Sequence, residues 1–316
     1  MATAGVSTIN LKWEVIGKSP RELQRWANTV VVLGSTVYFN DLSVEPSGIN
    51  VFDYESGHWS EIPIPPNGGT YALVLVNDLL TAVGGRTNKL FSRTSTDKGT
   101  AEEWTEKFPP MPTARHGVTA VCTKTALIVA GGDDSKIVEV MNTETLQWST
   151  AANLPTPLAG MSAAVCGDCL YMMGGHEQTW LEGMLPTNSV YTCSLSALLE
   201  PTPQRSLGAR LASALSLSRK PKIWKRVADL PVTESTCVFL NGQLLAIGGA
   251  AANAATVAVR KYNPTADKWN IISHMSQPRH SCFAAVLPNN TLLVIGGRGP
   301  EHYLGYIIEV EKATME

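Results

Sequence analysis

The sequence predicts an all-β protein built from one repeated four-stranded unit, and two periodic signals indicate this. Glycine doublets recur at intervals of 47, 43, 74 and 48 residues, and each follows an apolar run such as "ALIVAGG". Tryptophans recur with the same rhythm, at Trp13, Trp59, Trp104, Trp148, Trp224 and Trp269. A fixed period of this length, filled with short strand-like runs, is typical of ring-shaped repeat folds.

Each repeat contains four strand-like runs in a constant order. Strand A, such as "GVTAVC", precedes strand B, which ends in the doublet. Strand C, such as "KIVEVMN", leads to a turn and to strand D, which carries the tryptophan. Four antiparallel strands in a unit of this size form one blade of a β-propeller. A sixth unit is recognisable in "STVYFND", where Asn40 and Asp41 replace the doublet. The sequence therefore predicts a six-bladed propeller, formed as a single domain over residues 1–316.

The last repeat lacks its tryptophan, and the N-terminal segment offers one. "LLVIGG" and "HYLGYIIEV" supply strands B and C of this repeat, after which the sequence ends without strand D. Trp13, in "INLKWEVIG", lies before strand A of the first repeat. We therefore expect the N-terminal strand to complete the last blade and to close the ring.

The repeat resembles that of the kelch family. The resemblance rests on the doublets, on the spaced tryptophans and on an aromatic residue in strand C at Phe52, Tyr191 and Tyr262, and it covers residues 10–310. Phe91 and Met141 lie near this position in the second and third blades, where the aromatic is missing. The resemblance implies that the face carrying the B–C and D–A connections binds a partner. It also implies that strand-A and post-doublet arginines can capture acidic peptides, as in the kelch domains of ubiquitin-ligase substrate adaptors.

A set of polar residues falls on that face and forms the candidate binding site. The planar guanidinium group of arginine can donate two parallel hydrogen bonds to a carboxylate, so the set predicts an acidic peptide or protein segment as ligand. The candidates are Arg25, Arg86, Arg115, His116, Asp133, His176, Arg279, Arg298, His302 and Tyr303. Two alternatives stay open: the strand-A arginines can be structural, and acidic residues on the same face, at Asp41, Asp133, Asp134 and Glu301, can neutralise the cluster.

The fourth repeat carries an insertion over about residues 192–222, between strands C and D. Leu207, Leu211 and Leu215 follow a helical period, which predicts a short amphipathic helix. Because a C–D connection lies on the face opposite the B–C connections, the insertion is expected to lie away from the candidate site. A tolerated surface loop packed on a blade is the favoured explanation, because loops accommodate insertions at low cost.

Composition and motifs favour a non-enzymatic interaction module without cofactor or metal. The formal net charge of −2 gives no basic surface for nucleic acid, and no apolar run is long enough to cross a membrane. "CGDC" is a lone CxxC without the companions of a zinc or redox site. Alternative functions are a carbohydrate enzyme of the sialic-acid epimerase kind and an actin-binding propeller. We expect a cytoplasmic, monomeric chain that binds protein or peptide.

Overall fold

The structure is a computed structural model that describes residues 11–23, 30–40, 48–94, 103–179, 183–200, 223–252, 254–299 and 306–315. The first described strand, β1 (Leu11–Lys18), belongs to the last blade. Blade 1 contains β2 (Val30–Leu33), β3 (Thr36–Phe39), β4 (Ile49–Asp53) and β5 (Trp59–Ile62). Blade 2 contains β6 (Tyr71–Val76), β7 (Leu79–Gly84) and β8 (Phe91–Thr94). In blade 2, Thr105 pairs with Ser92 where the other blades have a fourth strand.

Blades 3 and 4 follow, and blade 4 carries an additional hairpin. Blade 3 contains β9 (Thr119–Cys122), β10 (Ala126–Ala130), β11 (Val138–Asn142) and β12 (Trp148–Thr150). Blade 4 begins with β13 (Ser162–Cys166) and β14 (Cys169–Met173), after which β15 (His176–Thr179) and β16 (Gly183–Pro186) form a separate two-stranded sheet. It continues with β17 (Val190–Ser194), helix α1 (Leu195–Leu199) and β18 (Lys225–Val227).

Blades 5 and 6 complete the ring. Blade 5 contains β19 (Thr236–Leu240), β20 (Gln243–Ile247), the short pair β21 (Ala250–Ala251) and β22 (Ala254–Ala255), β23 (Ala258–Asn263) and β24 (Lys268–His274). Blade 6 contains β25 (Phe283–Val286), β26 (Leu292–Ile295) and β27 (Glu309–Met315), and β1 pairs antiparallel with β27 as its outermost strand. The predicted closure by the N-terminal strand is therefore confirmed.

The first strands of the six blades contact one another in sequence and close the circle. β2 contacts β6, β6 contacts β9, and the series continues through β13, β19 and β25 back to β2. The A strands thus surround the central channel, and the D strands lie at the rim. The predicted six-bladed all-β propeller is confirmed.

The apolar core lies between the blades, because each sheet is covered on both faces by its neighbours. In the described part of the chain, one cluster of buried side chains occupies each of the six blade boundaries. A repeat tryptophan packs at every boundary: Trp13 between blades 5 and 6, for example, and Trp148 between blades 2 and 3. Several indoles also donate a hydrogen bond to the preceding blade or linker, as Trp269 does to the carbonyl oxygen of Ala228 at 3.0 Å.

The glycine doublets allow strand B to end against the start of strand A. Gly132 and Gly297 have φ of 90° and 102°, a region that L-residues with a side chain rarely adopt. A Cβ at Gly132 would lie 2.6 Å from the carbonyl oxygen of His116, and one at Gly297 would lie 2.7 Å from that of His280. The doublets therefore bring the post-doublet residues and the strand-A histidines together at the channel mouth.

In blade 4 the insertion separates β17 from β18 along the chain. β17 continues to Ser194, whose hydroxyl accepts a hydrogen bond from the Ala197 N–H and begins α1. Residues 201–222, with the helix expected at Leu207, Leu211 and Leu215, lie outside the described residues. The described part of the chain holds no helix with the length and apolarity needed to cross a bilayer.

Candidate functional site at the channel mouth

The channel mouth is the face on which the B–C connections and the starts of strand A meet. The residue after each doublet occupies the same place in its blade, because its backbone pairs with the residue that precedes strand A. Arg298 exchanges backbone hydrogen bonds with His280, and His176 does the same with Ala159. The described post-doublet residues are Arg86, Asp133, His176, Ala250 and Arg298. Four of the predicted site residues therefore line one opening together.

Arg115 and Arg279 do not face this opening. Arg115 is 4 % exposed and Arg279 is fully buried. Arg115 donates to the carbonyl oxygens of Gly131 and Ile137 and forms an ion pair with Glu139 at 2.8 Å. The two terminal nitrogens of the guanidinium are thus engaged inside blade 3, and the structure places them in the blade and not at the opening where a ligand contact was predicted.

Arg279 repeats the arrangement in blade 6. Its guanidinium donates to the carbonyl oxygens of Gly296 and Glu309 and pairs with the buried carboxylate of Glu311. The second oxygen of Glu311 accepts the Ser276 N–H at 3.0 Å. The ligand-contacting role predicted for Arg279 is likewise replaced by a structural one, the alternative left open in the sequence.

The two carboxylates were missed in the sequence although a signal existed. Glu139 and Glu311 stand within strand C, in "VEVMN" and "EVEKATM", in blades 3 and 6, which carry Arg115 and Arg279 before strand A. An acid inside a buried strand requires a partner, because an unpaired charge is costly to remove from water. Glutamate at this position together with arginine before strand A therefore marks a buried pair.

Arg86 and Arg298 remain at the mouth, and both arginines are accessible. Arg86 is exposed, and its stem lies over Gly68 and Gly69. No carboxylate in the described part of the chain forms an ion pair with it. The guanidinium of Arg298 lies 5.4 Å from the centre of the Tyr306 ring and donates to the Tyr306 hydroxyl at 3.3 Å. Tyr306 thereby helps to hold the Arg298 side chain in place.

Three other predicted residues lie outside the described residues, namely Arg25, His302 and Tyr303. Their contribution to the site stays a prediction.

A cleft of about 300 Å³ opens at the mouth between blades 3 and 4. It brings together three predicted residues, His116, Asp133 and His176, with Asp134, Gln178 and Met184. Asp133 is the best-fixed of these side chains: its carboxylate contacts the His116 imidazole at 2.8 Å and accepts the His116 backbone N–H at 3.2 Å. Both side chains remain open to solvent, with 57 % of His116 and 40 % of Asp133 exposed.

A second histidine–carboxylate pair joins blades 5 and 6. The carboxylate of Glu234 binds Nδ1 of the buried His280 and accepts the Ser281 hydroxyl at 3.0 Å. The hydrogen bond from His280 is the main cause that lowers the pKa of Glu234 to about 2, and it outweighs the opposing effect of burial. Glu234 is thus a permanent negative charge near the mouth at neutral pH. Its interaction with His176, on the neighbouring blade, helps to lower the same pKa.

In the part of the chain that the structure describes, the mouth therefore has two sides of opposite charge. Arg86 and Arg298 lie on blades 2 and 6, which both flank blade 1. Asp133, Asp134 and Glu234 lie on blades 3 and 5, on the other side of the ring. Lys136 belongs to the B–C connection of blade 3 but does not line the cleft. A ligand with one kind of charge would complement only half of this opening.

The arrangement offers little for metal chemistry. In the described residues no three histidine, cysteine, aspartate or glutamate side chains are placed to hold a metal ion. Among the described residues, those that line the cleft include two imidazoles and two carboxylates but no arginine. The carbohydrate-enzyme alternative requires arginines and carboxylates that converge in one pocket, and the described residues do not place them together there.

Comparison with known proteins agrees with this architecture. A sequence profile described as Kelch motif matches residues 114–155, which contain blade 3. The chain contains a kelch motif and folds as a six-bladed propeller, and it is similar to kelch-repeat proteins. The solved structure of YjhT superposes on 96 % of this propeller and on all of its own chain, with a TM-score of 0.68 and 14 % identity. At that identity the likeness shows the fold alone.

Three curated relatives match part of this chain. Kelch-like protein terF of Aspergillus terreus is 23 % identical over 186 residues, 52 % of this chain and 40 % of its own length. Kelch-like protein 25 of Xenopus tropicalis is 25 % identical over 195 residues, 59 % of this chain and 30 % of its own. Beta-scruin of Limulus polyphemus is 27 % identical over 198 residues, 59 % of this chain and 19 % of its own. The chain thus spans less than half the length of each relative.

Proposed function

We propose that this kelch propeller is a non-catalytic protein-interaction module that binds a segment of a partner protein at the channel mouth. The kelch-like relatives favour a protein-interaction role. Acidic residues of the bound segment contact Arg86 and Arg298. The observation that carries the proposal is the exposed guanidinium of Arg86, which has no carboxylate partner in the described part of the chain.

Arg298 supports the same ligand chemistry from the other side of blade 1. Its contact with Tyr306 restricts the guanidinium before any ligand arrives, so less conformational entropy is lost on binding. Arginine donates two parallel hydrogen bonds to a carboxylate, which gives orientation as well as affinity. Two such groups on one side of an opening suit a segment with separated acidic residues.

Two finer proposals follow from the resemblance to substrate adaptors. The propeller acts in the cytoplasm as the substrate-recognition part of a ubiquitin-ligase adaptor. It also binds its partner as a single protomer, because every blade boundary, including the one closed by β1, is completed within the chain.

A panel of synthetic peptides tests the interaction at Arg86. Acidic, neutral and basic peptides of equal length are compared by fluorescence anisotropy with wild type, Arg86→Glu and Lys124→Glu. Lys124 is an exposed cation in the A–B turn of blade 3, on the opposite face, so it controls for the change in net charge. We expect the acidic peptides to bind wild type best, and Arg86→Glu to weaken them about tenfold or more, as for a charge-assisted contact.

Salt provides the second readout, because attraction between exposed charges is screened. Affinity for the acidic peptides should fall as salt rises in wild type and in Lys124→Glu. Equal binding of all three peptide classes by wild type, or unchanged affinity in Arg86→Glu, would contradict the proposal.

A further inference from the structure

We propose that the cleft between blades 3 and 4 binds the side chain of a lysine or arginine carried by the partner segment. This inference rests on the proposed function and narrows its ligand. The segment would have two charges, with acidic residues at Arg86 and Arg298 and a basic residue in the cleft.

The charged residues that line the cleft favour a positively charged side chain. Among the described residues, its lining contributes two carboxylates, Asp133 and Asp134, and contains no lysine or arginine. Glu234 lies beyond His176 and adds a further negative charge, fixed by His280. An acidic peptide alone would meet repulsion here, so the acidic-ligand prediction explains only the arginine side of the mouth.

The size of the cleft suits one long side chain. A volume of about 300 Å³ is at the lower end of the range for sites that enclose small ligands, and it is too small for a helix or strand. One wall is the hairpin of β15 and β16, which contributes Gln178 and Met184. Met184 is 48 % exposed, and its flexible thioether side chain can cover the methylene stem of a lysine or arginine.

Asp133 is held ready to accept hydrogen bonds. One carboxylate oxygen contacts the His116 imidazole and the other accepts the His116 N–H. An ionised carboxylate accepts about four hydrogen bonds in total, so capacity for a ligand remains.

The backbone at Asp133 is unusual for its position. Its φ is 44°, whereas Arg86, His176, Ala250 and Arg298, which occupy the same place in other blades, have no such left-handed conformation. Strained conformations of non-glycine residues persist where the surrounding structure fixes them, and they concentrate at functional sites. Here the conformation directs the carboxylate to His116 at the edge of the cleft.

The decisive experiment compares peptides that differ in one side chain. Each peptide carries the same acidic block, a glycine–serine spacer of varied length, and either lysine or the uncharged isostere norleucine. Binding is measured by fluorescence anisotropy to wild type, to the double variant Asp133→Asn/Asp134→Asn, and to Asp78→Asn. Asparagine tolerates a left-handed φ. Asp78 is exposed with φ 62° in the A–B turn of blade 2, on the opposite face, which makes it a matched control.

We expect the lysine peptide to bind wild type about tenfold more tightly than the norleucine peptide, as for one charge-assisted hydrogen bond. The advantage should vanish in the double variant and persist in Asp78→Asn, with the thermal midpoint unchanged in both. If no spacer gives lysine an advantage while the acidic block still binds through Arg86, the cleft proposal fails and the proposed function stands.

A direct probe covers the opposite case, in which the acidic block does not bind at all. Nα-acetyl-lysine amide is then titrated into the propeller, and the His116 imidazole signals are followed by NMR, with the double variant as control. A saturable shift in wild type alone supports the cleft as a cation site. No shift at any concentration overturns it.

Discussion

Blades 3 and 6 lie opposite each other in the ring and begin strand A with the same dipeptide, Arg115-His116 and Arg279-His280. The arginines behave identically, since each is buried against a strand-C glutamate. The histidines do not. His116 is largely exposed and pairs with Asp133 of its own blade, whereas His280 is 3 % exposed and pairs with Glu234 of the preceding blade.

The post-doublet residue explains this difference. In blade 3 it is Asp133, which provides a carboxylate for His116 within the blade. In blade 6 it is Arg298, whose side chain provides no carboxylate for a histidine, and the His280 imidazole pairs across the boundary with Glu234 of blade 5. The repeat position thus determines that the arginine is buried. Residues that vary between blades determine whether the following histidine is exposed at the mouth or buried at a blade boundary.

Removal of β1 should have the largest effect, because blade 6 alone is assembled from distant parts of the chain. A variant lacking residues 1–18 loses seven paired positions along β27 and the Trp13 and Leu11 side chains between blades 5 and 6. Loss of one buried aromatic side chain alone costs about 3–5 kcal/mol, so we expect no cooperative melting transition in circular dichroism. A variant lacking only residues 1–10 keeps β1 and is the control. Equal midpoints for the two variants would contradict closure of the ring by β1.

The propeller itself could be predicted because its constraints leave marks in the sequence. Each doublet marks a strand end where a Cβ would collide with the neighbouring chain, and each tryptophan marks a boundary between blades. The absence of a tryptophan after β27 even indicated that Trp13 completes blade 6. The hairpin of β15 and β16 has no such periodic signal in the sequence, because the sequence of the B–C connection differs from blade to blade.

The buried pairs provide the second test of the comparison. Glu139→Ala and Glu311→Ala each leave a buried guanidinium without its carboxylate, which typically costs about 3–5 kcal/mol. We expect similar losses in the free energy of unfolding in urea, because the two arginines make equivalent contacts in the two blades. In the double variant Arg279→Met/Glu311→Leu no charge is left unpaired, so most of the loss should be recovered. A loss below about 1 kcal/mol for both single variants would indicate solvent-screened pairs.

The same pairs explain why the site could be predicted only in part. The repeat position indicates which residues precede strand A or follow the doublet at the mouth, and His116, Asp133 and His176 do lie there. It does not indicate where a long side chain ends. The guanidinium groups of Arg115 and Arg279 reach into the blade because Glu139 and Glu311, 24 and 32 residues later, attract them. Contacts over such separations have no periodicity. In a single sequence, the signal for them is that the arginine and the glutamate occur in the same repeat.

The histidine pairs should give the smallest effect on stability, and pH separates them. The pKa of Glu234 is lowered to about 2 in the folded chain from an ordinary value of 4.5. Its contribution to stability is therefore fully present above pH 4.5 and is lost as the pH falls toward 2. After allowance for its 22 % exposure, we expect a contribution of about 2 kcal/mol. Glu234→Gln should be less stable than wild type by this amount at pH 7, and the two should converge as the pH falls below 4.5.

Asp133→Asn, at the exposed pair, should stay within about 1 kcal/mol of wild type throughout. Chemical denaturation over this pH range measures both differences. A constant difference in the free energy of unfolding between wild type and Glu234→Gln from pH 7 to pH 2 would show that the contact between blades 5 and 6 does not depend on the charge of Glu234. The two histidine pairs would then differ in burial alone.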